Sequence, residues 1–405
     1  MVIEIAQVIQ DFAIIMIVAS IIALISYKLK QPLVIGYIIA GIIIGPHTPP
    51  LSLIWHMDVL NLFAEIGIIL LLFVIGMEFP LDKLRNIGKK VTIIAISEAL
   101  GTFAVGFLVA QSLHYSLFNS LFLALAISVT STVIVMRILE ELDMIKEEAS
   151  TIILGVAIIE DIIIISMLAI LQSVGSSGHV SLFPNLAITV GTVLAFIGGV
   201  IIIGSKTIPK FIDYIGKTNQ HDLLIVAVLG IAFGLSFIAN QIGISVATGA
   251  FFAGVIIAES KVHSVTKILA TPLKDMFAAI FFVSVGALMD FSVLPTFIVP
   301  ALILIIVSIL AKFLTVTIAA RTQKISLVTS LRSAFGLSSS GGELALVVAK
   351  GGADVGGLTS SFLLPMIGTM TIITTFITPY MLKFGWKAAV TISEYYENRK
   401  KFRIV

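Results

Sequence analysis

AIIEDIII, residues 157–164, places two adjacent carboxylates, Glu160 and Asp161, in the middle of an apolar run from about Ala149 to Val174. A helix of that length spans the hydrocarbon core of a bilayer, which puts the pair near its midplane. A carboxylate at that depth costs about 2.5–3.5 kcal/mol on insertion scales, so the pair needs a compensating environment. Proton release, cation binding and ion pairing are the chemistries open to it.

The rest of the chain fits a membrane setting. With 58% hydrophobic residues, 12% charged residues and a mean hydropathy of +1.14 over 405 residues, it reads as a polytopic membrane protein and not as a soluble globular domain. The net charge of +2 says little about partners, because in such a chain the placement of charge matters more than its sum. No nucleic-acid partner is expected. The absence of cysteine excludes a disulfide framework, a thiolate metal site and a cysteine nucleophile. The first apolar stretch, Gln7–Ser26, follows Glu4 and no basic stretch, and it lacks a small-residue cleavage site. It reads as a retained helix.

Thirteen apolar helical segments follow, near 7–27, 31–45, 60–79, 92–113, 117–141, 149–174, 186–206, 221–240, 243–259, 271–289, 293–320, 327–350 and 360–383. The loops between them are too short to hold a soluble domain. If the loop carrying Lys28 and Lys30 is cytoplasmic, alternate loops must be too, and all of the 25 basic residues except Lys350 and Lys312 then fall on that side. The positive-inside rule therefore predicts a cell-membrane protein with its N-terminus outside and its C-terminus in the cytoplasm.

Two halves of the chain also resemble each other. GYIIAGIIIG (36–45) matches GAFFAGVIIA (249–258) at an offset of 213, and FVIGMEF (73–79) matches FVSVGALMDF (282–291). LALAISVTSTVIV (123–135) and SAFGLSSSGGELALVV (333–348) are both apolar spans interrupted halfway by small and hydroxyl residues. Seven spans separate the partners, so the second copy enters from the opposite face. The expected architecture is all-α, with thirteen transmembrane helices in two inverted six-helix repeats: 1–174, a linker helix in 175–219, and 220–383. Residues 384–405 form a short cytoplasmic tail. Interrupted helices 5 and 12 would cross at a midplane transport site, where freed backbone groups face a wet cavity and half-helix ends supply partial charges. Close packing through Gly and Ser is the plainer explanation for either break taken alone.

One basic residue lies inside the apolar runs. Lys312, in LILIIVSILAKFLTV, has no charged neighbour within a helical turn on either side, and a buried ammonium needs an anion or must give up its proton. The acidic pair is the obvious partner. Consecutive residues point about 100° apart around a helix, so one carboxylate can meet Lys312 while the other faces a cavity and exchanges a proton for a cation. Glu65 and Glu78 on segment 3, Glu98 on segment 4 and Glu343 after the second break either line that cavity or make structural contacts. The six histidines lie mostly in loops and have no metal-cage spacing.

SVTST, SSSGGE, the ED pair and the lone lysine together resemble the monovalent cation:proton antiporters of the second cation:proton antiporter family, which have the sodium/proton antiporter fold. The resemblance covers the whole membrane region. It implies that Asp161 binds the ion, Na⁺ or Li⁺ and alternatively K⁺, in competition with the proton. It implies that Glu160 pairs with Lys312, that Thr130 and Ser131 lie close to the bound ion, and that no cofactor is needed. The first acid of the pair is Asp in electrogenic members, Gln in the potassium-efflux branch and Asn in an electroneutral relative. Glu160 departs from all three but keeps the charge, which favours electrogenic exchange.

Relatives of this kind are homodimers in which a core bundle, here segments 4–6 and 11–13, moves against a dimerisation scaffold. The 22 residues after Lys383 leave no room for the nucleotide-binding domain of the potassium-efflux branch. A sodium-coupled symporter or channel on the same architecture is the competing reading. An intramembrane aspartyl protease is excluded because adjacent acids cannot converge on one water, and no enzymatic activity is expected.

Overall fold

A computed structural model describes residues 5–29, 31–48, 53–54, 57–78, 88–141, 143–144, 146–176, 184–338, 341–355 and 358–402. Regular structure among them is helical. In chain order the helices are α1 (Ile5–Lys28), α2 (Leu33–Ile44), α3 (Met57–Met77), α4 (Lys89–Ser112), α5 (Leu117–Ile127), α6 (Thr132–Glu141), α7 (Glu148–Ser176) and α8 (Pro184–Gly199). A π-helical turn, Val200–Gly204, joins α8 to α9 (Ser205–Gly216). Then come α10 (His221–Gln241), α11 (Val246–Ile257), α12 (His263–Ala287), α13 (Leu294–Thr322), α14 (Leu327–Ser338), α15 (Glu343–Asp354) and α16 (Leu363–Phe402). Eight of the described helices are long and apolar enough to cross a bilayer, and four shorter apolar ones accompany them.

Contacts group the chain into two units. One is Met1–Asn86 with Ile165–Ser292, the other Ile87–Ile164 with Val293–Val405, and the division falls inside α7. The second unit holds segments 4, 5 and 11–13 with the first part of segment 6, and the rest of segment 6 lies in the first unit.

In the first unit, glycines let helices touch backbone to backbone at two crossings. A Cβ on Gly41 of α2 would strike the Val283 carbonyl of α12, and one on Gly286 of α12 would strike the Ile38 carbonyl of α2. The pair α3 and α11 repeats this, with Gly76 against the Phe251 carbonyl and Gly254 against the Phe73 carbonyl. Lipid offers no hydrophobic drive for helices to associate, so such close approach is what holds them together. The two crossings exchange into one another when α2 is replaced by α11 and α3 by α12. The helices α2 and α11 have equal length and start 213 residues apart.

A second duplicated device shapes the other unit. After α4 the chain turns through His114 at φ 63°, the Tyr115 N–H reaches back to the Ala110 carbonyl, and Ser116 caps α5 by accepting the Asn119 N–H. After α13, 210 residues later, it turns through Lys324 at φ 61°, Ile325 N–H bonds the Ala320 carbonyl, and Ser326 caps α14 through the Thr329 N–H. A left-handed residue followed by a hydroxyl cap satisfies the last carbonyls of one helix and the first amides of the next.

The helix that each turn starts then breaks. The chain leaves helical geometry at residues 128–131, between α5 and α6, and again between α14 and α15, where 339–340 lie outside the described residues. Gly341 takes φ 135°, a conformation glycine adopts without steric penalty.

Around these breaks Ile94, Val135, Leu139, Ile153, Val156, Ala157, Val316, Ala334 and Leu337 form a continuous buried core. The α16 helix runs past Lys383 as far as Phe402. Trp386, in the stretch set apart as a tail from sequence, is buried, and its indole N–H donates to Glu147 at 3.2 Å. Glu147 also pairs with Arg332 of α14, whose guanidinium lies over the Trp386 ring.

Candidate functional site

The break after α5 leaves carbonyls without helical partners, and α13 supplies donors for two of them. Ser308 Oγ donates to the Ile127 carbonyl at 2.9 Å, and Lys312 Nζ donates to the Ser128 carbonyl at 2.8 Å. One helical turn separates Ser308 from Lys312, which matches the adjacent positions of the two carbonyls. A cation at a helix C-terminus also meets the negative end of the helix dipole.

Lys312 is fully buried and has two further kinds of partner. It donates to Thr130 Oγ1 at 2.6 Å, and its Nζ lies 3.3 Å from Glu160 Oε1 and 3.4 Å from Glu98 Oε1. Thr130 in turn donates its own proton to Glu160 Oε2 at 3.1 Å and has the Leu337 carbonyl of α14 at 3.5 Å. The break residue thus connects the ammonium to the carboxylate on α7. Thr102 Oγ1, one turn along α4, donates to Glu98 Oε1 at 3.1 Å.

Asp161 points elsewhere, as consecutive helical residues must. Its Oδ2 accepts from Thr132 Oγ1 at 3.1 Å, and Thr132 is the first residue of α6. An acid near a helix N-terminus sits at the positive end of the dipole. Ser131 caps the same helix, accepting the Ile134 N–H at 3.4 Å. The second break comes close here: a Cβ on Gly342 would lie 3.0 Å from Ser131 Cα. A small cavity between α5, α13 and α16 adjoins the first break and is lined in part by Ile127, Ser308, Gly341, Thr371 and Thr374.

Glu98, Glu160 and Asp161 are at most 6% exposed, and Lys312 lies within ion-pair distance of the first two. Three carboxylates at this depth carry a desolvation cost that bound protons or cations can offset.

The structure brings Glu160, Asp161, Thr130, Ser131 and Lys312 into one cluster inside the second unit. It also brings in Glu98, which the sequence offered as either a cavity acid or a structural contact, and two groups the sequence did not single out, Thr132 and the Ser128 carbonyl. Glu98 was visible only as a lone acid in the middle of an apolar helix, and Thr132 as the last residue of SVTST. Two other acids lie in the first unit: Glu65 is exposed on α3, and Glu78 pairs with Lys267 at 3.1 Å. Glu343 opens α15, but its side chain lies outside the described residues.

Residues 14–388 match the family described as "Sodium/hydrogen exchanger, transmembrane". The Na⁺/H⁺-K⁺ antiporter GerN of Bacillus cereus is 29% identical over 364 residues, covering 90% of this chain and 92% of GerN. YbaL of Escherichia coli is 33% identical over 286 residues, which is 68% of this chain, and the chain spans only about half (50%) of YbaL. Among solved structures, the sodium/proton antiporter MjNhaP1 of Methanocaldococcus jannaschii superposes with a TM-score of 0.71 over 96% of this chain and 99% of its own, at 19% identity. At that identity the likeness carries the fold alone.

Proposed function

We propose that this chain, which belongs to the sodium/hydrogen exchanger family and is a cation/proton antiporter of the membrane, exchanges Na⁺ or Li⁺ for H⁺ at Asp161. Asp161 holds either the alkali cation or the proton, and the site opens to one face at a time. Glu160 and Lys312 compensate charge beside it, Thr130 and Ser131 form the polar wall at the first break, and Glu343, the first residue of α15, is a further candidate acid of the site. The cycle moves net charge, and it is completed by a homodimer in the cell membrane with the N-terminus outside.

The observation that carries the reading is the division of labour between adjacent acids. Lys312 and Thr130 hold Glu160, whereas Asp161 meets Thr132 at the start of a half-helix. Glu160 is held by the amine and by the hydroxyl of the break, and Asp161 stands at the start of a half-helix with the Thr132 hydroxyl bonded to it. Hard oxygen ligands of this kind suit an alkali cation.

The inverted-repeat reading, 1–174 and 220–383 about a linker in 175–219, has its own support. The glycine crossings exchange as pairs, and the left-handed turn with its serine cap recurs 210 residues on. Thirteen spans are the count that makes these correspondences consistent. The likeness to GerN, a Na⁺/H⁺-K⁺ antiporter, favours one second reading, K⁺ in place of Na⁺ at the same carboxylate.

The test is transport in proteoliposomes loaded with a pH dye, with Na⁺, Li⁺ and K⁺ compared as drivers. Wild-type protein should show Na⁺-evoked proton movement, and Asp161→Asn should abolish it. Exchange that survives in Asp161→Asn would defeat the assignment, and a response to K⁺ alone would select the second reading.

A further inference from the structure

The geometry points to Glu98 as a positioning residue of the exchange, the carboxylate to which Lys312 swings when a cation occupies Glu160 and Asp161. The inference rests on the antiport reading of that pair. An ammonium has three protons, and Lys312 faces four acceptors. Two of them, Thr130 Oγ1 at 2.6 Å and the Ser128 carbonyl at 2.8 Å, are at full hydrogen-bond distance. The two carboxylates, at 3.3 Å and 3.4 Å, are longer than the roughly 2.7–2.9 Å of a committed ammonium–carboxylate bond and nearly equal to each other. The third proton goes to Glu160, and Glu98 Oε1 stands beside it at ion-pair distance.

The two acids are anchored differently. Thr130, on the break, ties Glu160 to the interrupted segment, whereas Thr102, on the same continuous helix, ties Glu98 to α4. A small rotation of the ammonium moves its third bond from Glu160 to Glu98 while leaving the other two in place. A cation arriving at Glu160 and Asp161 repels Lys312 and draws on the charge of Glu160, so it drives that rotation. Without Glu98 at the right distance, Lys312 keeps Glu160 as its one ion-pair partner among the described residues and competes with the cation for it.

Three variants separate this role from simple charge and from folding. Glu98→Gln removes the alternative partner, Glu98→Asp keeps the charge but withdraws the oxygen by one methylene, and Thr102→Val keeps every charge and only releases the anchor. Initial rates of Na⁺-evoked proton movement in proteoliposomes give KM and Vmax separately. The expected result is a rise in KM for Na⁺ of about tenfold in Glu98→Gln, the equivalent of one charged hydrogen bond. A smaller rise in the same direction is expected in the other two, with Vmax per folded transporter within about twofold of wild type.

Normal KM in both Glu98→Asp and Thr102→Val would overturn the inference, since charge alone would then account for any effect of Glu98→Gln. Loss of Vmax with unchanged KM in all three would also overturn it, leaving Glu98 a purely structural group. Absence of Na⁺-evoked proton movement in the wild type would instead remove the antiport reading beneath it, and this inference with it.

Discussion

Lys312→Met replaces the buried ammonium beside Glu160 and Glu98 with an apolar side chain of similar length, and its consequence follows from the two acids it serves. At separations of 3.3 Å and 3.4 Å and an effective dielectric constant of about 20, each attraction is ~5 kcal/mol before desolvation is counted. Removing one member of a buried pair typically destabilises by about 3–5 kcal/mol, because the remaining charge is stranded. Here the lysine strands two carboxylates, whereas Glu160→Gln leaves Lys312 with Glu98. Lys312→Met should therefore be the more damaging single change, by roughly a factor of two. At this chain length, with roughly 2 °C of melting temperature per kcal/mol, its loss should be on the order of 6–10 °C.

Thermal unfolding in detergent, followed by intrinsic fluorescence, measures this directly. The double variant Lys312→Met with Glu160→Gln should melt above Lys312→Met alone, since one of the stranded charges is gone. The reasoning fails if Lys312→Met melts with the wild type, or if adding Glu160→Gln lowers stability further by its full single-variant effect.

Three other outcomes are expected. Thr132→Val deletes the hydroxyl bonded to Asp161 while preserving shape, and KM for Na⁺ in the vesicle assay should rise about five- to tenfold, the equivalent of roughly 1–1.5 kcal/mol. Gly254→Val puts a side chain into the Phe73 backbone and should leave little monodisperse protein on size exclusion, whereas Gly230→Val, where nothing lies within 4 Å, should behave as wild type. If H⁺ and Na⁺ compete for Asp161, lowering the pH raises proton occupancy. KM for Na⁺ should then climb as pH falls, by at most about tenfold per pH unit for one competing proton; a KM that does not change across about pH 6–8 would contradict a shared site.

Much of the architecture was legible in the one-dimensional pattern because apolar run length, small-residue interruptions and basic loops are local properties. The α5–α6 and α14–α15 breaks fall where SVTST and SSSGG interrupt apolar spans, and α10 stops at Gln241 just before a glycine at φ 78°. The continuation of α16 was less legible. Its polarity rises after Lys383, which reads as a tail, but burial of Trp386 against Glu147 keeps the helix ordered.

The sequence by itself determined that acids and an amine lie at mid-depth in apolar helices, and that adjacent acids must face different directions, because both follow from helical geometry and the length of the runs. Which acid meets the amine was decided by the tertiary structure: Lys312 and Glu160 are 152 residues apart, and only the packing of α7, α13 and the first break brings them within bonding distance. The same holds for Glu98 joining the cluster while Glu78 is taken by Lys267. A residue's depth along its own helix can be read from its neighbours in sequence, but its partner depends on rotations of several helices about their axes, and those are fixed by backbone contacts such as the glycine crossings.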